Sequence, residues 1–273
     1  MASDAHRQLL DFLQALPDDG TLLVVTGAGI SLASGIPTFR GTDRDAIWKK
    51  DVTELGTFAF FEADPVGSWR WYLSRFSCVF GARPNPAHVA LVGIERWHGT
   101  GGGTFLLATQ NVDTLHEQAG SKQMVKVHGS ADRVRCTDPA CANAAPRGSL
   151  PRPDEAIARF LADPRRETVP RCPACGSLLR QHVLWFDESY GEHVDYQFRR
   201  VLHTAGAADR VLFVGTSFSV GVTDAVLGGA EYAQAPVASI DPGEQPVPVG
   251  VEAIRAKAEE VLPAVLARLK PRR

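Results

Sequence analysis

The sequence lacks a strong net charge. Its 29 Lys and Arg residues are nearly balanced by 31 Asp and Glu residues, which gives a net charge of −2. There is therefore no global positive field to attract nucleic acid or an anionic membrane surface. The sequence also lacks an apolar run long enough to span a bilayer, and residues 1–8 lack the basic-then-apolar pattern of a secretory signal. We expect a cytoplasmic monomer that binds neither membranes nor nucleic acid.

Cysteine is scarce, yet four of the five cysteines are paired along the chain. Four residues separate Cys136 from Cys141, and two separate Cys172 from Cys175. A redox pair is one interpretation, but thioredoxin-like motifs do not come with a second pair nearby. The spacing favours a tetrahedral Cys₄ zinc site, closed to other ligands and therefore structural. Cys78 lies in an apolar segment and is predicted to be a core residue.

Short apolar runs are present, and each is followed at once by polar residues or glycine. Such runs are typical of buried parallel strands in a doubly wound α/β sheet, whose ligand crevice lies at the carboxyl ends of the strands. The remaining periodic segments predict helices, including a closing helix over residues 252–269 that Pro263 interrupts. The predicted strands are Leu22–Val25, Phe105–Thr109, Met124–Val127, Val211–Val214 and Pro236–Ile240.

The turn Gly27-Ala28-Gly29 follows the first strand. Glycine lacks a Cβ, so a phosphate could approach the main-chain N–H groups there. The dinucleotide fingerprint G-x-G-x-x-G is incomplete because Leu32 takes the place of its last glycine, and an ordinary strand-to-helix turn is the alternative. The loop that carries Phe39 and Arg40 could then cover a charged ligand.

Polar residues also follow the next two strands. Gln110, Asn111 and Asp113 combine two amides with a carboxylate, a set that suits an amide-bearing ring such as nicotinamide better than a metal. His128 ends the third strand, and its ordinary pKa suits a general base. A loop built on Asx turns and a solvated histidine are the alternatives.

These motifs together resemble those of the sirtuins, NAD-dependent protein deacylases. The matching segments are G-A-G-I-S-x-x-S-G-I-P-x-F-R-G over residues 27–41, T-Q-N-V-D-x-L-H over 109–116, His128-Gly129, both cysteine pairs and G-T-S over 215–217. The resemblance implies removal of an acyl group from protein lysine, with nicotinamide, O-acyl-ADP-ribose and free lysine as products. Acyl-lysine proteins would be the partners, NAD the co-substrate and Zn²⁺ the structural metal.

The resemblance also implies a division of the chain. A single catalytic domain would span residues 1–273, with a Rossmann-like part from 1–41, 87–129 and 181–273. Two insertions would form a smaller module: a helical one over 42–86 and a zinc-binding one over 130–180.

Site residues follow from the resemblance by position. Catalysis would involve His128, Asn111 and Asp113, and the substrate peptide would pair with a strand made of Val183, Leu184, Trp185 and Phe186. The cofactor would be held by Gly27, Ala28, Gly29, Ser31, Phe39, Arg40, Gln110, Asn111, Asp113, Gly215, Thr216, Ser217, Asp241 and Ala258. The chain departs from the family at Thr38, Gln181, Asp187, Val222 and Asp241, where Asp, Pro, Gly, Pro and Asn are usual.

Tyr72 and Arg75 lie three residues apart in a predicted helix, so they share one face. A phenol beside a guanidinium can bind a carboxylate, and the Y-x-x-R pattern resembles the sirtuin subgroup that removes succinyl and malonyl groups. A solvated surface arginine is the alternative. Phe60 falls where that subgroup often has a small residue, so we expect acetyl-lysine to be accepted as well.

Two other functions fit the same residues. The site could transfer single ADP-ribose units or hydrolyse NAD, and consumption of NAD without an acylated peptide would distinguish this case. A non-catalytic NAD sensor is the other alternative, although a sensor has no need for the base His128.

Overall fold

The computed structural model describes residues 2–38 and 52–272. The strands are β1 (Thr21–Thr26), β2 (Thr104–Thr109), β3 (Met124–Lys126), β4 (Gly129–Cys136), β5 (Leu150–Pro151), β6 (Leu179–Val183), β7 (Arg210–Val214), β8 (Val237–Ile240) and β9 (Val251–Ile254). The α-helices are α1 (Ala2–Gln14), α2 (Val52–Leu55), α3 (Phe58–Ala63), α4 (Pro65–Phe76), α5 (Pro86–Thr100), α6 (Leu115–Ala119), α7 (Asp154–Ala162), α8 (Phe198–Ala205), α9 (Gly221–Ala233) and α10 (Ala258–Leu266). Short 3₁₀ turns occur at Ala28–Ser34, Arg166–Thr168 and Val194–Tyr196.

A six-stranded parallel sheet in the order β3-β2-β1-β7-β8-β9 forms the larger part of the fold. Numbered along the chain, its strands run 3-2-1-4-5-6, which is the order of doubly wound dinucleotide-binding domains. The direction of winding reverses between β1 and β7. A ligand crevice is therefore expected where the loops after these two strands meet.

Both faces of this sheet are covered by helices. On one face α1, α5 and α10 pack through Leu9, Leu91 and Leu262, and on the other α8 and α9 pack through Val201 and Val226. Strand β1 is consequently apolar at every position from Leu22 to Val25, since alternate side chains enter the two different cores.

The five predicted strands are present, but the closing helix was predicted to begin too early. Residues 251–254 form β9, which pairs in parallel with β8, and the helix begins only at Ala258. The burial of this edge strand alternates weakly and covers four residues, too few to distinguish a strand from a helix by periodicity. Pro263 lies inside α10, as the sequence indicated.

The two insertions share one hydrophobic core, to which Trp69 and Phe76 contribute from α4 and Val134 and Phe160 from the second insertion. Its sheet is antiparallel, in the order β5-β4-β6. We call this the small module; its exact boundaries stay a prediction.

Within the described ranges, no helix combines the length and apolar character needed to cross a bilayer.

Candidate active site

The loops after β1 and β7 touch each other at the point where the sheet reverses. Gly27 N–H donates to the carbonyl of Val214 at 3.0 Å, and Gly29 N–H donates to that of Gly215 at 2.8 Å. A Cβ on Gly27 would lie 2.7 Å from the Gly215 oxygen, and one on Gly29 would lie 2.7 Å from the Gly215 Cα. Both glycines thus permit contact between the loops. Their N–H groups are bound within the protein, which differs from the phosphate-facing role expected from the sequence.

Asn111, Ser31 and Asp113 form a buried hydrogen-bonded chain beside these loops. The Asn111 amide donates to the Gly27 carbonyl at 3.0 Å and to Ser31 Oγ at 3.2 Å. Ser31 Oγ in turn donates to Asp113 Oδ2 at 2.9 Å, and Leu115 N–H donates to Asp113 Oδ1 at 3.0 Å. The network fixes the orientation of the amide and the carboxylate before any ligand binds.

A cavity of about 30 Å³ opens next to this network. Ser31, Asn111 and Asp113 line its polar side, whereas Ile36 and Phe76 contribute to its apolar side. A volume of this size holds only about two water molecules.

His128 lies at the end of β3 with both ring nitrogens engaged. Nδ1 lies 2.8 Å from the Gln110 carbonyl, which can only accept, so Nδ1 carries the proton. Nε2 is then the basic nitrogen, and it accepts from the Tyr190 hydroxyl at 3.1 Å. The Tyr190 oxygen itself accepts from Val222 N–H at 3.2 Å. Burial lowers the pKa of His128 to about 4, partly opposed by the bond to Gln110, so the ring is neutral at pH 7.

Tyr190 is a site residue that the sequence did not indicate. Its ring stacks on that of His128 with a centroid distance of 5.7 Å, and on Phe198 at 4.2 Å. Tyr190 and His128 are 62 residues apart, in a segment without periodicity. No local pattern could have paired them.

The remaining predicted cofactor residues lie at the same edge of the sheet. Gln110 donates to Thr216 Oγ1 at 3.1 Å, which links the ends of β2 and β7. Ser217 is exposed in the loop after β7, and Asp241 follows β8, where it accepts from Gly243 N–H at 2.8 Å. Ala258 is the first residue of α10. The predicted contacts Phe39 and Arg40 lie outside the described residues.

The four paired cysteines converge in the small module. Their Sγ atoms all lie within 4.8 Å of one another, with 3.4 Å between Cys136 and Cys175 and 3.7 Å between Cys141 and Cys172. Zn–S bonds of about 2.3 Å place tetrahedral sulfurs about 3.8 Å apart, so the cluster is consistent with a zinc site. Asn143 donates to Cys172 Sγ at 3.5 Å. Although burial opposes it, hydrogen bonding from Asn143 and nearby main-chain N–H groups lowers the pKa of Cys172 to about 6.

The arrangement of loops, base and cysteines agrees with the result of comparison with known proteins. The model of the Sir2 family matches residues 27–222. The chain belongs to the Sir2 family.

Relatives of this family cover nearly the whole chain. The chain is 36% identical over 252 residues to "NAD-dependent protein deacylase 1" of Archaeoglobus fulgidus, which spans 92% of this chain and 93% of the relative. A solved Sir2 homologue in complex with NAD superposes with a TM-score of 0.74 at 33% identity and covers 96% of this chain and 93% of its own. A Sir2 structure with a deacetylated peptide and acetyl-ADP-ribose gives a TM-score of 0.79 at 25% identity, covering 96% and 97%.

The segment expected to pair with peptide in this Sir2 chain is only partly a strand. Val183 ends β6 and pairs with Gly129 of β4. The next three N–H groups are bound within the protein: Leu184 donates to His128, Trp185 to Glu188 and Phe186 to Gly56, at 2.9, 2.9 and 3.0 Å. In this conformation these three N–H groups are not available to pair with a peptide.

Asp187, one departure from the usual Sir2 motif, has a structural partner. Its two carboxylate oxygens accept from Phe58 N–H at 2.8 Å and from Ala59 N–H at 3.1 Å. These are the first N–H groups of α3, so the carboxylate satisfies donors that have no intrahelical partner. Asp187 therefore attaches α3 to the segment after β6.

Glu188 beside it joins two buried arginines. Its carboxylate accepts from Arg135 at 2.6 Å and from Arg180 at 2.5 and 3.0 Å, and the Arg180 guanidinium lies 3.2 Å from the Trp185 ring centroid. Burial raises the pKa of Glu188, but the two arginines outweigh it and the net shift is downward.

In the described part of this Sir2 chain, Tyr72 and Arg75 line two different cavities. Tyr72 is buried in the small module, stacked on Trp185 with a centroid distance of 5.8 Å. It faces a second, smaller cavity with Gln181, and burial raises its pKa well above the ordinary value. Arg75 instead lines the cavity next to Asn111, and its guanidinium lies 5.6 Å from the Trp71 ring. Their joint role in binding the carboxylate of an acidic acyl group stays a prediction.

Proposed function

We propose that this chain is an NAD-dependent protein lysine deacylase. The observation that carries the proposal is His128, a neutral imidazole at the end of β3 that is bonded to the carbonyl of Gln110, the residue before Asn111 of the buried Asn111–Ser31–Asp113 network. The relatives named as deacylases and the Sir2 homologues bound to NAD support it. Its action as a cytoplasmic monomer stays a prediction.

The cofactor residues are proposed on the same basis. Loop residues Gly27, Ala28, Gly29, Gly215, Thr216 and Ser217 would surround the phosphates and ribose, with Asp241 and Ala258 toward the adenosine end. Gly27 and Gly29 would contribute space for the ligand, because their N–H groups are bound within the protein. Asn111 and Asp113 present a fixed amide and carboxylate to the cavity, and their oxygens can accept from the nicotinamide amide and the ribose hydroxyls. When bound, NAD would supply an electrophilic ribose carbon, with nicotinamide as its leaving group, and the ribose hydroxyl that receives the acyl group.

The proposed base is set up by its neighbours. The Gln110 carbonyl holds the Nδ1 proton, so any proton that His128 accepts goes to Nε2. The Tyr190 hydroxyl must move away from Nε2 before a ribose hydroxyl can reach it. The low pKa of His128 keeps the ring unprotonated at neutral pH, which is the state in which Nε2 can accept a proton.

Zinc would hold the small module together. The four thiolates would fill all four tetrahedral positions, which leaves none for substrate, so we propose a structural and not a catalytic metal.

The experiment is mass spectrometry of NAD and of an acyl-lysine peptide incubated with the full chain. We expect nicotinamide, O-acyl-ADP-ribose and free lysine from the wild type. His128→Ala should keep the fold and reduce deacylation by about 10²–10⁴-fold, the usual contribution of a positioned base. His203→Ala, an exposed histidine on α8, is the matched control and should be unaffected.

Three results would contradict the proposal. Consumption of NAD without an acylated peptide would indicate a hydrolase or ADP-ribosyl transferase. NAD binding without any turnover would indicate a sensor. Unchanged turnover in folded His128→Ala would show that another group is the base.

The acyl preference is a finer proposal: acetyl-lysine is accepted, and Arg75 adds activity on acidic acyl groups. Arg75→Met should lower kcat/KM for a succinyl-lysine peptide and spare the matched acetyl-lysine peptide, whose acyl group has no charge to pair. If both activities fall equally, or succinyl-lysine is never cleaved, Arg75 does not read the acyl group.

A further inference from the structure

Two buried histidines and a carboxylate lie close together between β6 and the 3₁₀ turn at Val194–Tyr196. His182 lies on β6, while His193 and Asp195 lie at the 3₁₀ turn that follows. The histidines are 1% and 2% exposed, whereas the Asp195 side chain is 45% exposed. The group therefore has a closed interior and one side open to solvent.

The distances between these side chains match those between ligands of a tetrahedral metal. Asp195 Oδ2 lies 3.2 Å from His182 Nε2 and 3.6 Å from His193 Nδ1, and all three atoms lie within 4.8 Å of one another. Zinc bonds to nitrogen and oxygen of about 2.0–2.2 Å place neighbouring ligand atoms about 3.3–3.5 Å apart.

His182 is otherwise unexplained. Among the described residues neither of its ring nitrogens has a hydrogen-bond partner, since the approach of Asp195 lacks hydrogen-bond geometry. Buried polar atoms nearly always have a partner, so an orphan of this kind points to an additional ligand such as a water or an ion.

The other two groups have supporting contacts typical of metal ligands. His193 Nε2 donates to the Gly148 carbonyl at 3.0 Å, which leaves the lone pair on Nδ1. That lone pair accepts from Asp195 N–H at 3.1 Å, a bond that a metal would replace. Asp195 Oδ2 accepts from Ser149 Oγ at 3.2 Å, and Ser149 accepts from Arg133 at 2.8 Å.

The surrounding charges restrict the choice of metal. Arg133, Arg135 and Arg180 lie around the histidines and oppose any cation, although Glu188 pairs with the last two. Hard cations such as Mg²⁺ need more oxygen ligands than the single carboxylate here. Imidazole ligands suit zinc and its transition-metal neighbours, which bind nitrogen strongly.

We propose that His182, His193 and Asp195 form a second metal site, which binds Zn²⁺ through three protein ligands with a fourth position open to solvent. The site is separate from the four cysteines and does not depend on the proposed deacylase activity. Because His182 precedes Val183, a bound metal would fasten the end of β6 to the turn at residues 194–196.

The test is titration of the full chain with zinc chloride after the Cys₄ site has been filled with one equivalent. Calorimetry should show a second equivalent with weaker affinity. In Asp195→Ala, which changes an exposed side chain, and in His193→Gln, this second event should weaken at least tenfold. His203→Ala should bind both equivalents as the wild type does.

Cobalt identifies the ligands of the second site. Added to the zinc-filled protein, Co²⁺ should give ligand-field bands without thiolate-to-cobalt charge transfer, and Asp195→Ala should abolish them. Binding that stops at one zinc, a second equivalent that Asp195→Ala binds as tightly, or a thiolate charge-transfer band would each overturn the proposal. Melting curves of each variant confirm that it is folded when titrated.

Discussion

The parallel sheet and the small module are stabilised by different chemistry. The largest fully buried side chains of the sheet and its covering helices are aliphatic or simple aromatic residues, such as Leu22, Leu91 and Phe213. Those of the module include Trp69, Trp185 and the charged Arg180. The sheet thus relies on apolar burial, whereas the module also depends on buried ions and a cluster of thiols. A chain of this size can build one large apolar core, and smaller folded parts need other stabilising links.

Substitution of one of the four clustered cysteines should have the largest effect on stability, and this effect should be confined to the small module. Structural zinc contributes about 10–16 kcal/mol of binding free energy, which is also folding free energy for the part it holds. We expect Cys172→Ser to lose the metal and the folded module together. Elemental analysis and thermal melting measure both. Cys78→Ser, which changes the cysteine outside the cluster, is the control and should retain zinc. A well-folded wild type without zinc would refute this prediction.

The next largest effect should come from the buried ions of the module. Glu188→Gln leaves Arg135 and Arg180 without their carboxylate, and breaking a buried pair costs about 3–5 kcal/mol. The pKa of Glu188 is depressed, so its contribution is complete above the ordinary value of 4.5 and is lost as the pH falls through the folded-state value. Urea unfolding at pH 7 measures the difference. The exposed Glu192→Gln should have no effect, and equal stability of both variants would contradict the prediction.

A smaller effect should appear on the sheet side as the pH falls. Burial lowers the pKa of His88 to about 4, with Asp113 opposing the shift. Below pH 6.5 His88 is protonated in the unfolded chain, whereas in the folded chain it is protonated only near pH 4. The free energy of unfolding therefore decreases as the pH falls from 6.5 to 4. The slope is about 1.4 kcal/mol per pH unit for one histidine.

His88→Gln should remove this part of the slope. Glutamine is a normal residue at the third position of a capping box, where the His88 side chain accepts from Asn85 N–H at 3.3 Å. Unfolding measured at several values between pH 4.5 and 7 would show it. An unchanged slope would mean that His88 is protonated in the folded chain as readily as in the unfolded one.

Much of the sheet could be predicted from the sequence because its strands are buried on both faces. A run such as Leu22–Val25 is too short to form a helix, and a glycine turn follows it. A buried strand is therefore the structure that such a run predicts. Strand β9 was missed because it is a short edge strand whose burial alternates weakly. Its identity depends on pairing with β8, which is a tertiary contact.

The site was predicted less completely, for a related reason. Asn111, Asp113 and His128 directly follow strands, so local sequence placed them at the ligand edge. Tyr190 and the Asp187 cap of α3 depend on contacts across 62 and 129 residues. The proposed second metal site was not predicted from the sequence, because His182 approaches His193 and Asp195 only in the folded chain.

The hydrogen bond between His128 and Tyr190 has one further consequence. While Nε2 is unprotonated, the phenol points its hydrogen toward the ring and its oxygen accepts from Val222 N–H. Once Nε2 gains a proton, the direction of that bond must reverse, and the phenol oxygen would face two N–H donors while its own hydrogen turns elsewhere. Val222 belongs to the first turn of α9. In the ligand-free protein, a proton gained by Nε2 would therefore rotate the Tyr190 hydroxyl, whose oxygen is bonded to the first turn of α9.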